Sequence, residues 1–507
     1  MTRAAGKPIW PKVPAGFVRA MLAGHSALGL AFAALIFLVC FSGSVAVFIQ
    51  EFQRWERAQD PIVAEAPSPA VLQHAYEEGL RLTPNTDRVV LNLPGEGLPR
   101  FILTTWVGAK DSMWALDADG RPTRRIDKPW SDFVQDLHIY LHLPRSWGLF
   151  VVGLTGVALL SSLVSGILSH PRVFRDAFHL RWGGSKRLQE ADLHNRIGIW
   201  ALPFHITLSL TGALLGLATV IVGILAMVVF KGDTEKAYAL FATPEPAHDS
   251  RAAPAPNLIP MLATIQRMAP GSHMPYAIVE EPLQVQSHIS FGVEKPGHLA
   301  REIYSFDRNG TLLGGTGYGA RNLGESLYTA IGPVHFGWFG GWPTKIAYGL
   351  LGLGLTTVTS SGVAIWLARR RAKGRPAPTW ERIWIATVWS QPAAYGAGML
   401  AVTAGVTLPP VAVWGATTLA AFALAFRVQP ARISWVLRWA GAAALAATGA
   451  THAALWAGRD IDPVAWGMDV ALVALALTLI TPEALSLARR RNEDRPADAP
   501  EQRLAAE

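Results

Sequence analysis

Long apolar runs alternate with polar stretches along the whole chain. The runs fall at residues 22–49, 147–169, 197–230, 344–367, 383–406, 411–426, 433–456 and 464–485. A helix that crosses a bilayer takes about 20 mostly apolar residues, so the pattern predicts about eight transmembrane helices. The first run follows Arg3, Lys7, Lys12 and Arg19. It is longer than the ~7–15-residue core of a signal peptide, which predicts an uncleaved anchor.

Two polar stretches are long, at residues 50–140 and 231–335, and each predicts a helix followed by strands. In the first, a helix is expected over 71–82. Strands are expected over 89–93, 101–107 and 112–117, with a turn at Asp117-Ala-Asp-Gly120. In the second, a helix over 257–268 precedes strands at 277–279, 285–291 and 301–306, with a turn at Asp307-Arg-Asn-Gly310. The membrane runs repeat as well. His25-x-x-x-Gly29 leads to Ser42-Gly43, and His194-x-x-x-Gly198 leads to Thr211-Gly212 at the same spacing. Ser165-Gly166 and Ser361-Gly362 close the second and fourth runs. The unit helix, outside domain, helix is therefore used twice. Small residues on membrane helices ordinarily mark close packing, and packing is the role expected for these Ser-Gly and Thr-Gly pairs. The expected fold class is an all-α polytopic membrane protein with two small α+β outside domains and an internal duplication. Residues 383–485 form a separate block of four helices without the repeat.

Charge sets the expected orientation. The stretch from Arg172 to Arg187, Arg369-Arg370-Arg371, the stretch from Arg427 to Arg438, and Arg489-Arg490-Arg491 all fall on one side. Glu51, Asp60, Asp111, Glu245, Asp249, Asp460 and Asp462 fall on the other. The excess of basic residues marks the cytoplasm. Segments 1–21, 170–196 and 486–507 are thus expected inside, with both termini cytoplasmic and both large loops outside an inner membrane. Only 16% of residues are charged while 50% are hydrophobic, which fits a bilayer better than a soluble domain. The net charge of +8 comes from the ends of apolar runs, so it argues against a nucleic-acid partner. The single cysteine, Cys40, excludes an intrachain disulfide framework, a cysteine zinc cluster, an iron–sulfur site and C-x-x-C-H haem attachment.

Metal chemistry then rests on the fourteen histidines or on carboxylates. Ionisable residues at membrane spans are functional candidates. His25 and His194 occupy equivalent places near the cytoplasmic ends of the first and third runs, and His170 closes the second run on the same side. His205 follows His194 by about three turns, roughly 16 Å deeper. His138 and His142 sit one turn apart before the second run, and His335 holds the matching place before the fourth. These form one cluster near each membrane surface. Histidines on facing helices are natural axial ligands for haem iron. Two such sites would carry electrons across about 30 Å of hydrocarbon. The inner pair is expected to be His25 with His194, His170 and His205 being reserves. The outer pair is expected to be His335 with His138 or His142. Zinc is a rival for the outer cluster, because histidines at i and i+4 can share a metal. The Glu of H-E-x-x-H is missing there.

Gly24-His25-Ser-Ala-Leu-Gly29, Asp136-Leu-His138, Ser165-Gly166, His170-Pro-Arg172-Val-Phe, Asp192-Leu-His194-Asn-Arg196-Ile-Gly198-Ile-Trp200 and His335-Phe-Gly337 resemble the PepSY-associated transmembrane helix family over residues 15–372. The two outside domains look like degenerate PepSY domains. The resemblance implies an iron-regulated inner-membrane protein, a ferric-siderophore reductase with histidine-ligated b-type haem, of which the two histidine clusters lead one to expect two. Its acceptor would be a ferric siderophore or another ferric chelate. Without a G-x-G-x-x-G unit for flavin or nicotinamide, electrons would come from quinol or another protein. The competing expectation is a non-enzymatic adaptor whose PepSY-like domains bind a periplasmic peptide or protein. A transporter ranks last, since the repeats share one topology and the spans lack buried acids.

Overall fold

The computed structural model describes residues 14–170, 186–241, 245–299, 301–315 and 323–493. The segments 1–13, 171–185 and 494–507 lie outside the described residues, and with them much of the expected cytoplasmic charge. Two compact units are present, Met1–Ala377 and Pro378–Glu507.

The first unit opens with α1 (Ala15–Ala31) and α2 (Ala33–Ala46), which bend by 67° at Phe32. Phe32 takes φ −102°, ψ 3°, the bridge conformation that lets a helix change direction. Then come α3 (Ile49–Glu56), α4 (Pro69–Leu82), β1 (Arg88–Asn92), β2 (Phe101–Val107), β3 (Lys110–Leu116), β4 (Pro122–Arg125), α5 (Pro129–Tyr140) and α6 (Arg145–Leu168). The second repeat starts at α7 (Lys186–Trp200) and α8 (Leu202–Gly216), bent by 69° at Ala201. Ala201 has φ −94°, ψ 9°, nearly the angles of Phe32. Each break lies three residues after the glycine of the His-x-x-x-Gly motif, so the duplication extends to backbone geometry. The repeat continues through α9 (Ala218–Val229), α10 (Thr234–Tyr238), α11 (Ile259–Met268), β5 (His273–Glu280), β6 (His288–Glu294), β7 (Glu302–Asp307), β8 (Leu312–Gly314), α12 (Leu323–Phe336) and α13 (Gly341–Ala372).

The two long polar segments do not fold apart. They share one open antiparallel sheet in the order β4-β3-β2-β1-β5-β6-β7-β8. The seam pairs Val90 with Ile278 and Leu91 with Ala277. An apolar strand edge left unpaired invites aggregation, and joining β1 to β5 hides two such edges at once. One face of the sheet packs Val89, Leu91, Leu103, Val279, Phe291 and Phe306 under Leu72 and Tyr76 of α4 and Met261 and Leu262 of α11. The two Asp-x-x-Gly turns are built alike. Asp117 Oδ1 accepts from the amides of Asp119 and Arg121 at 3.0 and 2.8 Å. Asp307 Oδ1 accepts from Asn309 and Thr311 at 2.9 and 2.8 Å. Gly120 and Gly310 supply the positive φ, 80° and 83°, that these turns need. The short strands β4 and β8, which follow these turns, are additions to the expected set.

The expected count of about eight membrane helices is corrected. Among the described residues three helices are long and apolar enough to cross a membrane: Arg145–Leu168, Gly341–Ala372 and Pro463–Thr481. The number rises to five if each bent pair is one span. The difference has physical causes. Runs 22–49 and 197–230 are broken by the bends. Run 411–426 makes a helix of 16 residues, short of the ~20 a crossing takes. Runs 383–406 and 433–456 are diluted by Ser390, Gln391 and Tyr395 in one and by Arg438, Thr448 and His452 in the other.

The second unit comprises α14 (Pro378–Thr403), α15 (Pro410–Ala425), α16 (Pro430–Trp456) and α17 (Pro463–Glu493). Proline at the first helical position starts each of the four, where its missing N–H costs nothing. Small residues allow close approach. A Cβ on Gly396 would stand 2.9 Å from that of Ala444. The buried pair of His452 Nδ1 with Asp469 Oδ2, 2.9 Å apart, ties α16 to α17, and it corrects the expectation that the spans lack buried acids, since Asp469 lies within the apolar helix Pro463–Thr481.

Candidate functional site

Histidines of the two repeats meet in pairs. His25 on α1 faces His194 on α7, with ring centroids 6.4 Å apart and planes at 72°. His138 on α5 faces His335 on α12, at 6.2 Å and 18°. Both pairs join equivalent positions of the duplication.

The Ser-Gly and Thr-Gly pairs expected to serve helix packing are the seats of these rings. A Cβ built on Gly166 would lie 3.1 Å from His25 Nδ1, and one on Gly362 would lie 3.3 Å from His194 Cε1. On Gly43 it would lie 2.7 Å from His138 Cε1, and on Gly212 3.0 Å from His335 Cε1. Any larger residue at these four positions would crowd an imidazole. Each ring is seated within its own repeat and meets its mate across the repeats.

Hydrogen bonds fix the tautomers. His25 Nδ1 lies 2.8 Å from Ser162 O, His194 Nδ1 3.0 Å from Val358 O, and His138 Nδ1 3.1 Å from Val39 O. In all three the carbonyl lies one helical turn before the seat glycine. A carbonyl only accepts, so Nδ1 carries the proton and the lone pair resides on Nε2. At His335 the partner of Nδ1 is the Thr211 hydroxyl, at 2.9 Å. That hydroxyl donates to Thr207 O at 2.7 Å, which leaves its oxygen to accept from Nδ1. Hydroxyls also lie beside the other rings: Ser162 at 3.2 Å, Ser361 at 3.1 Å and Ser42 at 3.4 Å. An imidazole that donates Nδ1–H to a carbonyl and keeps Nε2 free is the form that binds metal.

The donor set fits haem iron. Two imidazoles on opposite sides of one metal, bonded at about 2.0–2.1 Å, have centroids about 6 Å apart, as both pairs do. Two side chains would suffice for such a group, since a porphyrin would bring its own nitrogen ligands. Among the described residues no group of three His, Cys, Asp or Glu could hold a metal ion, which removes support from the zinc alternative at the outer cluster. A cavity of 420 Å³ adjoins the inner pair, lined by His25, His194, His170, Asn195, Trp366 and Arg369 among others. That lies in the range of small-molecule sites, about 300–1,000 Å³.

The remaining candidates stand elsewhere. His142 has φ 52°. Its ring stacks on Phe133 at 5.3 Å and its Nε2 lies 3.0 Å from Phe133 O, so it does not meet His335. His205 is fully buried on α8 beside Phe204, with no histidine partner among the described residues. His170 lies at the cavity wall with a buried Nδ1 that forms no hydrogen bond among the described residues.

Sequence reasoning missed the brace between the sheet and the outer pair. Glu56, at the end of α3, accepts from Trp130 N at 2.7 Å and from Ser131 N and Oγ at 3.0 and 2.8 Å. It thereby caps α5, the helix that carries His138. Burial pushes the Glu56 carboxyl above its usual range, and these three donors pull it back. Next to it, buried Asp60 holds both Arg57, at 3.2 Å, and Arg124 of β4, at 2.6 Å. Lys345 of α13 reaches Glu51 of α3 at 2.7 Å. No sequence motif announces these contacts, because each joins segments far apart in the chain.

Paired imidazoles held between helices at a bilayer, beneath an extramembrane sheet, define a class of membrane protein. The PepSY-associated TM region family matches residues 22–369, and the chain belongs to that family. It is also similar to an uncharacterized protein of Pseudomonas aeruginosa, 31% identical over 385 residues, which cover 69% of this chain and 94% of the relative. Its apolar helices and its family make it a multi-pass protein of the inner membrane.

Proposed function

We propose that this is a haem-bearing electron-transfer protein, a ferric-chelate reductase in iron uptake. The observation that supports the reading is the pairing of equivalent histidines at 6.2 and 6.4 Å, each ring seated on a glycine with its Nδ1 engaged. His25 and His194 would hold one b-type haem, and His138 and His335 the other. The bound groups would supply one-electron chemistry. The chain's own residues do the rest. Ser162, Val358 and Val39 carbonyls and the Thr211 hydroxyl orient the imidazoles and keep Nε2 unprotonated. The glycine seats let the rings lie against the helices, and the surrounding apolar residues exclude water. On this reading the electron donor is quinol or another protein, and the outer pair faces a ferric siderophore or another ferric chelate. Both termini are then cytoplasmic, and reporter fusions after Gln59 and Pro246 should score as periplasmic.

The test starts with the visible spectrum and haem content of the purified full chain, where two b-type haems per chain are expected. Chemically reduced protein should then be reoxidised by a ferric siderophore in stopped-flow measurements, and His335→Ala should lose that reaction while its inner haem still reduces. Reoxidation of His335→Ala at the wild-type rate would remove the outer pair from the pathway.

A second reading is a non-enzymatic adaptor that binds a periplasmic peptide or protein. The family match and a relative of undescribed activity speak for it more directly than for redox chemistry. So does the single eight-stranded sheet, whose edges β4 and β8 are open. Protein that carries no haem and is not reoxidised by any ferric chelate would leave this reading in place.

A further inference from the structure

The cavity beside the inner pair has one cationic end. Much of its wall is apolar, including Leu22, Ile36, Leu159, Leu355 and Val363. Past the seat glycines the lining changes. His170 lies one turn beyond Gly166, and Arg369 lies two turns beyond Gly362 on the same helix face; both line the cavity. Asn195, next to His194, adds an amide.

The three arginines that end α13 are not equivalent. Arg370 is engaged, with Nε donating to Arg375 O at 3.1 Å and the guanidinium 5.3 Å from the Trp366 ring centre. Arg369 lines the cavity, and no acidic side chain among the described residues pairs with it. It lies within electrostatic reach of His194. His170 lines the same wall, and its buried Nδ1 makes no hydrogen bond among the described residues. Helices α6 and α13 both end here, at Leu168 and Ala372. Helix C-termini carry partial negative charge, so an anionic group at this mouth needs a cation to offset them.

We propose that Arg369 and His170, with Asn195, form a carboxylate clamp for the ligand that His25 and His194 bind. The ligand is then an amphiphilic dianion: its flat apolar body lies in the cavity and its acid groups lie at the cytoplasmic mouth. This rests on the haem reading above and identifies those acid groups with the porphyrin's propionates. Arg369 is the principal partner, since guanidinium matches carboxylate with two parallel donors.

The clamp is tested with apoprotein of the full chain in detergent, titrated with ferric protoporphyrin and with its uncharged dimethyl ester. The change in the visible band reports binding, and transfer to a haem-scavenging protein reports release. Wild-type protein is expected to hold the diacid about tenfold more tightly than the ester, the worth of one charge-assisted hydrogen bond. Arg369→Gln should lose that preference while the bis-imidazole spectrum stays unchanged, and Arg369→Lys should recover part of it. Equal binding of diacid and ester by the wild type would overturn the clamp and leave the histidine sites standing. A full preference retained in both Arg369→Gln and His170→Gln would overturn it too. Failure of both porphyrins to bind wild-type protein would overturn the haem reading itself. The wild-type comparison needs no variant, so it decides even where a substitution prevents folding.

Discussion

At the inner pair the rings of His25 and His194 stand at 72°, and both Nδ1 hydrogens go to main-chain carbonyls. At the outer pair His138 and His335 lie within 18° of parallel, and His335 leans on the hydroxyl of Thr211. Both pairs use the same kind of glycine seat, and each joins equivalent helices of the two repeats, so the difference arises from the surroundings. The inner pair is set among helices beside a cavity. The outer pair rides on α5 and α12, short helices that follow the sheet strands in each repeat. Glu56 fastens α5 to α3, and Arg301 holds its guanidinium 4.8 Å from the ring centre of Trp338, just past α12. The outer site is therefore mechanically part of the extramembrane sheet, and the inner site is not.

The strongest test of that division is removal of a ring. His25→Ala or His194→Ala should each cost one of two haems and spare the outer spectrum. His138→Ala or His335→Ala should do the converse, with haem content per chain falling by about half. Loss of both haems from any one substitution would show that the sites are not independent. A smaller effect is expected at the seats. Gly43→Ala brings a methyl to 2.7 Å from His138, whereas Gly362→Ala reaches 3.3 Å from His194. The outer spectrum should thus shift clearly in the first variant and the inner one only slightly in the second. Equal shifts would contradict the seat geometry.

Glu56→Ala comes next. Loss of a helix cap costs roughly 0.5–2 kcal/mol, visible in thermal unfolding, and only the outer site's spectrum should change. An altered inner spectrum would mean that the sheet's influence reaches across the membrane. The smallest effect is a pH dependence at the sheet seam. His273 links Glu294, at 3.1 Å, to Pro94 O, at 3.0 Å, and the Glu294 carboxylate raises its pKa. A raised imidazole pKa adds stability that is fully present below the unfolded value, about 6.5. That stability is lost as pH rises through the folded value. Melting of the extramembrane sheet should become slightly easier across that window in wild type and stay flat in His273→Gln.

The sequence carried the pairing more clearly than the fold. His25 and His194 share spacing to a Gly and to a Ser/Thr-Gly, and that regularity is enough to set them at equivalent depth. His138 and His335 stood out because each precedes a matching apolar run, while the choice between His138 and His142 needed the backbone, since positive φ at Leu141 and His142 turns the second ring back onto Phe133. The bends at Phe32 and Ala201 were invisible to hydropathy, because a kink leaves an apolar run apolar. The β1–β5 seam was hidden for another reason. It joins strands separated by about half of each repeat, and no local pattern encodes which edge meets which. Membrane helices were overcounted because hydropathy does not register the bends, because run 411–426 makes a helix of only 16 residues, and because polar side chains dilute runs 383–406 and 433–456.

The seam has a consequence for how such a chain arises. β1 and β5 hold equivalent places in the two repeats and run antiparallel, Val90 against Ile278. The members of each histidine pair are equivalents too. Strands and rings therefore meet as they would in a two-fold symmetric dimer, where one patch contacts its own copy. A half-length chain carrying one repeat could pair with a second copy of itself and reproduce the sheet and both imidazole pairs. Fusing the two copies frees each half to change alone: Thr211 now stands where its counterpart is Ser42, and an asymmetry that no homodimer could keep becomes heritable.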